Sequence, residues 1–338
     1  MALHVTARRL AVLATSCAAA TSMTAPPVHA TAHGKNGRIV FLRYYNADRT
    51  RGDIFTVRPD GSRERKVTHA LRTRLPNQPD WSPNGRWIVY QLSRHGDIDH
   101  SRLDKIRRDG THRTPLSRSC VAPCLTDGFA QWSPTGRRIA FQRQFGPAGD
   151  PTFLFALFVM RADGTHVRQI THRGADPLTD HRFQDKAPTW SPDAQRLALE
   201  RVDGRSDHHA ICTVRLDGSH LKRLTPWALD AAQPDWSPDG RWIMFRSQAN
   251  SDSVGNVWLV HPDGTGLHRV THDFAGSGKW VSGSFSPNGR RIVAGKSPGV
   301  GSAGNADVYT MRLDGSHRHN ITMSVAAENS PDWGPRRR

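Results

Sequence analysis

The chain has 338 residues, of which 36% are hydrophobic, with 29 glycines, 22 prolines and ten tryptophans. With a mean hydropathy of -0.60 this describes a soluble, turn-rich chain with large aromatic anchors and excludes a disordered one. A formal net charge of +17 gives it an affinity for polyanions.

The N-terminus differs from the rest. Arg8 and Arg9 form a short basic region, residues 10–20 are almost wholly apolar or small, and no acid occurs before Asp48. This reads as an export signal covering residues 1–32, with cleavage after Ala30 or Ala32. Thr15, Ser16 and Thr21 dilute a run already short of the roughly twenty apolar residues that a membrane span needs, so no transmembrane segment is expected in the mature chain. Cys17 raises the rival of a lipid anchor, but residues 14–16 are a poor lipoprotein context. A secreted, periplasmic or cell-envelope protein is expected.

From residue 33 onward two landmarks alternate. The first is Trp-Ser-Pro-Asp/Asn-Gly or a variant, marked by Trp81, Trp132, Trp190, Trp236, Phe285 and Trp333. The second is a strand ending in Asp-Gly, at Asp60, Asp109, Asp163, Asp217, Asp263 and Asp314. Successive copies lie 46 to 58 residues apart, the size of one four-stranded propeller blade. Each unit reads as an inner strand ending at the aromatic residue, a tight turn, a second strand, a variable loop, a third strand, the Asp-Gly turn and a short outer strand. Six copies predict an all-β, six-bladed propeller over residues 33–338, as one domain and a monomer. Its phase is informative. The repeats open with a second-type strand at residues 38–41 and finish with an inner-strand motif at Trp333, so the C-terminal strand is expected to complete the N-terminal blade.

These motifs resemble the WD40-like PD40 repeats of TolB-type propellers over about residues 37–335. The helical domain that precedes the propeller in TolB proper has no counterpart before Arg38. The resemblance implies the fold but not one function, since such propellers serve translocation proteins, peptidases and sugar-acid lyases. Departures from the pattern are Ala194 for glycine, Phe285 for tryptophan, Gly334 for serine, and a charged third strand at residues 104–108.

Cys120 and Cys124 enclose three residues between strand-rich regions, a spacing that suits a small disulfide closing a loop in an oxidising compartment. Cys212 sits in an apolar strand as an inert thiol. Loops after second and fourth strands vary in length and share one face, where binding is expected. Five positions before the motif aromatic stand Asp127, Asp185, Glu328 and Trp280, a set that six-fold geometry would bring toward the channel mouth to hold a polar ligand or a cation such as calcium. His181, between Asp180 and Asp185, is a further ligand candidate. His208 and His209 are poor joint metal ligands, because neighbours on a strand point apart.

No phosphate-cradling glycine loop, nucleophile elbow or second catalytic domain is present, so no cofactor and no catalytic residue is assigned. The reading is a non-catalytic binding propeller that recognises a protein or an anionic cell-envelope polymer through its loop-rich face. The alternative is a carbohydrate-active lyase or glycosidase at the channel mouth. A basic residue precedes each Asp-Gly landmark, namely Arg58, Arg107, Arg161, Arg215, His261 and Arg312. These are expected to pair with turn acids such as Asp60, Asp163, Asp217 and Asp239, leaving Arg63, Arg65, Arg72 and Arg74 for weak, salt-sensitive polyanion binding.

Overall fold

The computed structural model describes residues 34–336 except 70–72, 95–96, 118–123, 146–153, 173–182, 248–254, 275 and 300–304. These residues form six four-stranded antiparallel sheets. Blade 1 orders its strands as Glu328–Pro335, Asn36–Tyr44, Gly52–Val57 and Arg65–Lys66, so the C-terminal strand does join the N-terminal sheet. The inner strands of blades 2 to 6 are Arg74–Trp81, Cys124–Trp132, Phe183–Trp190, Ala231–Trp236 and Trp280–Phe285. The one helical element among the described residues is the 3-10 turn Trp227–Leu229.

Period-2 strands bury both faces here because blades stack on each other. Ile39 to Leu42 are all fully buried, as are Ile88, Val89, Ile139 to Phe141 and Leu197 to Leu199 in the second strands of blades 2 to 4. Motif aromatics wedge between neighbouring sheets: Trp190, Trp236, Phe285 and Trp333 are at most 2% exposed, and Trp81 and Trp132 are 7% exposed. Cys212 is a buried free thiol, as its apolar strand predicts, and burial pushes its pKa up to about 12. Cys120 lies outside the described residues, while Cys124 opens the inner strand of blade 3.

Two polar devices recur in every blade. The hydroxyl that ends each outer strand accepts the first free N–H of the third strand: Thr68 from Ile54, Ser117 from Leu103, Thr171 from Leu157, Thr225 from Ile211, Thr271 from Val257 and Thr322 from Val308, all at 2.8 to 3.0 Å. The Asp of each Asp-Gly turn accepts the N–H two residues on, as Asp163 does from Thr165 at 2.9 Å. Glycine then takes the left-handed conformation, with φ from 77 to 89°. These bonds correct one expectation. Asp60, Asp163 and Asp217 hold Ser62, Thr165 and Ser219 of their own turns, and Asp239 holds Ser237 and the Arg241 N–H. Among the described residues no ion pair joins these acids to arginine. A short Asx-type bond inside the turn holds one carboxylate oxygen, and the neighbouring arginines act on these acids through charge without forming an ion pair.

The departures from the repeat have structural readings. Ala194 adopts φ of 56° where the other turns use glycine, a local cost of roughly 1 kcal/mol. Asp104, in the charged third strand, is fully buried between Arg102 and Arg113, each at 2.9 Å. Gly334 is required by packing: a Cβ there would overlap the indole of Trp81 in the next blade. Gly334→Ala should therefore lower stability by about 1–3 kcal/mol. Urea unfolding checks this, and an unchanged midpoint would mean that Trp81 does not seat on the closing strand.

Candidate functional site

Antiparallel hairpins place the first-to-second and third-to-fourth turns at one end of the ring. The variable connections after the second and fourth strands share the other. His181, in the connection entering blade 4, lies outside the described residues.

Asp127, Asp185 and Glu328 begin this face and are 0, 3 and 0% exposed. Each is bonded within its own blade to an arginine directly across the sheet. Register pairs Asp127 with Arg143, Asp185 with Arg201 and Glu328 with Arg43. Arg143 and Arg201 bind bidentately, Nε at 2.7 Å and Nη2 at 2.9 Å. Arg43 Nε reaches Glu328 at 2.7 Å, and its two terminal nitrogens reach Glu64 at 2.6 and 2.7 Å. The guanidiniums also stack on aromatic rings, Arg143 on Phe141 and Phe158 and Arg201 on Phe183. Burial raises the Glu328 pKa, with Arg43 opposing it. An acid followed sixteen residues later by arginine, in blades 3 and 4 alike, was the sequence signal for these pairs.

Trp280 is buried, and its indole N–H donates to Asp273. Lys296 Nζ and the Arg318 guanidinium lie 5.1 and 5.4 Å from its ring. His209 turns toward Glu200, with Nδ1 2.7 Å from Oε1, and the bond raises the His209 pKa. Glu200 Oε2 in turn accepts the Gln233 N–H at 3.0 Å. Among the described residues no three His, Cys, Asp or Glu side chains are grouped to hold a metal ion.

Sequence reasoning missed the acids that line the axis. In four of the six blades the side chain immediately before the motif aromatic reaches the next blade: Asp332 accepts the Trp81 N–H at 2.8 Å, Asp80 that of Trp132 at 2.8 Å, Asp235 that of Phe285 at 2.7 Å, and Ser284 Oγ that of Trp333 at 2.9 Å. Asp332, Asp80 and Asp235 thus stitch blades together; all three line a cavity of about 20 Å³, and Asp80 and Asp332 also border an adjoining one of about 70 Å³. Burial drives all three pKa values up from 3.8, Asp80 well above it, Asp235 to about 8 and Asp332 to about 6. The charge of Asp332 adds to the effect on both others.

Two residues earlier each inner strand bulges, and Gln78, Phe129, Ala187, Gln233 and Ser330 stand at φ of 45 to 54°. Side-chain oxygens accept each exposed N–H: Asn77 for Gln78, Gln78 for Phe129, Gln142 for Ala187, Glu200 for Gln233 and Asn329 for Ser330. The channel wall is therefore fixed by hydrogen bonds and carries acids that take up protons near neutrality.

Comparison with known proteins agrees with this geometry. No protein-family model matches the chain. The Tol-Pal system protein TolB of Anaeromyxobacter dehalogenans is 31% identical over 230 residues, covering 64% of this chain and 49% of that one. The crystal structure of TolB from Acinetobacter baumannii superposes with a TM-score of 0.65 at 19% identity, over 89% of this chain and 67% of that chain. The chain is a TolB-like six-bladed β-propeller. It spans about half the length of the curated TolB proteins it matches. An uncharacterised protein of Agrobacterium fabrum is 24% identical over 307 residues, covering 84% of this chain and 88% of the other.

The channel acids of this TolB-like ring give its stability a pH dependence. In the folded protein Asp235 keeps its proton up to about pH 8, whereas the unfolded chain releases it near 3.8. Folding therefore takes up a proton between these values, and stability falls as pH rises from about 4 to 8 and then levels. The slope from one group approaches about 1.4 kcal/mol per pH unit. Asp235→Asn should flatten the curve of unfolding free energy against pH across this window; a variant with the wild-type slope would show that Asp235 does not carry the proton.

Proposed function

We propose that this TolB-like chain is exported and acts as a non-catalytic binding propeller, holding a protein or an anionic cell-envelope polymer against its loop-rich face. The observation that supports this reading most is the division of labour between the two faces. Strand positions and turns repeat from blade to blade, while length varies after second and fourth strands, where a scaffold changes its binding surface. The carboxylates nearest that face are engaged by Arg143, Arg201 and Arg43, and the axial acids are engaged by backbone N–H groups. These groups hold the scaffold and leave recognition to the loops around the channel mouth. No helix among the described residues is long and apolar enough to cross a membrane.

The test is affinity capture from a cell-envelope fraction by the mature protein and by a variant whose residues 173–182 are replaced with a short Gly-Ser turn. The wild type should retain a defined protein or polymer. The variant should lose at least tenfold of it while unfolding at the same temperature. Equal retention by both would place recognition away from this part of the loop face.

A further inference from the structure

On the opposite face, the turns of blades 3, 4 and 5 enclose an open cleft of about 1620 Å³. Six cationic side chains line it: Arg138, Arg168, Arg196, Arg215, Lys222 and Arg241. Three carboxylates lie among them, and each is held through its Oδ1 by bonds inside its own turn. Asp193 accepts from Ser191 Oγ and the Gln195 N–H, Asp217 from Ser219 N and Oγ, and Asp263 from Thr265 N and Oγ1. Among the described residues none of the three forms an ion pair with a cleft cation.

Two of the cations brace the seams between blades, Arg168 donating to the Leu216 carbonyl and Lys222 to the Asp263 carbonyl, both at 2.9 Å. Arg138, Arg215 and Arg241 are exposed, and among the described residues no side-chain hydrogen bond or ion pair occupies their guanidiniums. With six cations against three carboxylates the cleft keeps a surplus of positive charge and presents planar donors across three successive blades, which suits a row of anionic groups rather than a single one.

What the cleft omits narrows the polymer. Bases and sugar rings are held by stacking on exposed aromatic faces. Here the nearby indoles are covered, Arg196 lying 5.2 Å over Trp236, itself 1% exposed, and the rings that line the cleft are the imidazoles of His220 and of His261, the latter already stacked on Trp242 at 3.8 Å. A chain of phosphodiesters joined by small polyols needs charge and hydrogen bonds alone.

We propose that the cleft of blades 3 to 5 is a docking site for a base-free phosphodiester polymer of the cell envelope, separate from the loop-rich face. The choice of an envelope polymer rests on the exported location proposed above; the binding itself is read in vitro and does not depend on it.

The probe is synthetic poly(glycerol phosphate), titrated against the mature protein between 50 and about 300 mM salt, where counterion release makes the response steep. Arg138→Ser, Arg215→Ser and Arg241→Ser together should weaken binding at least tenfold and reduce the slope of log affinity against log salt by about two. A control triple on the same face in blades 1 and 6, Arg58→Ser, Arg290→Ser and Arg312→Ser, removes equal charge and should change affinity less than threefold. Equal losses in both triples would reduce the effect to net charge and overturn the cleft. Undiminished binding by the first triple would do so as well. Tighter binding of single-stranded DNA or polygalacturonate of matched charge would overturn the choice of polymer. Capture by the loop-face variant is read separately, so either reading can fail alone.

Discussion

The ring exists because residues 328–335 pair with residues 36–44, ends of the chain almost 300 residues apart in sequence. Ile39 faces Trp333 and Arg43 faces Glu328 across this ladder, and Trp333 fills the core beside Phe41 and Val293. Without the closing strand, blade 1 would present a free sheet edge, and Trp81 would lose both the Asp332 bond and the glycine surface it packs on. Closure thus sets the register of blade 1 and, through the axial relay, the seats of blades 2 and 6. The same relay draws three acids toward the axis, which is why structural residues and the most perturbed carboxyls coincide here.

The fold was legible because a propeller repeats its punctuation. Trp-Ser-Pro-Asp-Gly and Asp-Gly turns need glycine at positive φ and a short polar side chain, and those demands survive in sequence even where the apolar pattern weakens, as in the charged strand around Asp104. Closure was legible from phase alone. The polar interior was harder to read. Asp127 and Asp185 look like loop acids until register sets them against Arg143 and Arg201, sixteen residues away. The axial acids Asp80, Asp235 and Asp332 were hidden inside the fold motif itself, one position before the tryptophan. A proline directly precedes each, Pro79, Pro234 and Pro331, and proline inside an inner strand signals a bulge that a regular ladder does not explain. That signal marks the residues that line the channel.

The two ends of the ring are built on different principles. At the loop end, backbone length varies and the charged groups nearest the sheets are neutralised in pairs. At the turn end, backbone conformation is nearly constant, carboxylates fold back on their own turns, and arginines are left facing water. A chain with an excess of seventeen positive charges has to place them somewhere, and the turn bonds hold the nearby carboxylates ionised but inside their own turns, so that the surplus arginines stand beside them without direct ion pairs. The same Asx-type bond that fixes each blade's geometry therefore shapes the protein's electrostatic surface.

All of this depends on the closing strand, and removing it is the most direct measurement. A chain ending at Ala327 should lose the cooperative thermal transition of the full protein and associate through the exposed edge of blade 1. A synthetic peptide spanning residues 328–336, added in excess, should restore the transition by occupying that edge. A truncated chain that stays monodisperse and melts at the temperature of the full protein would contradict the account.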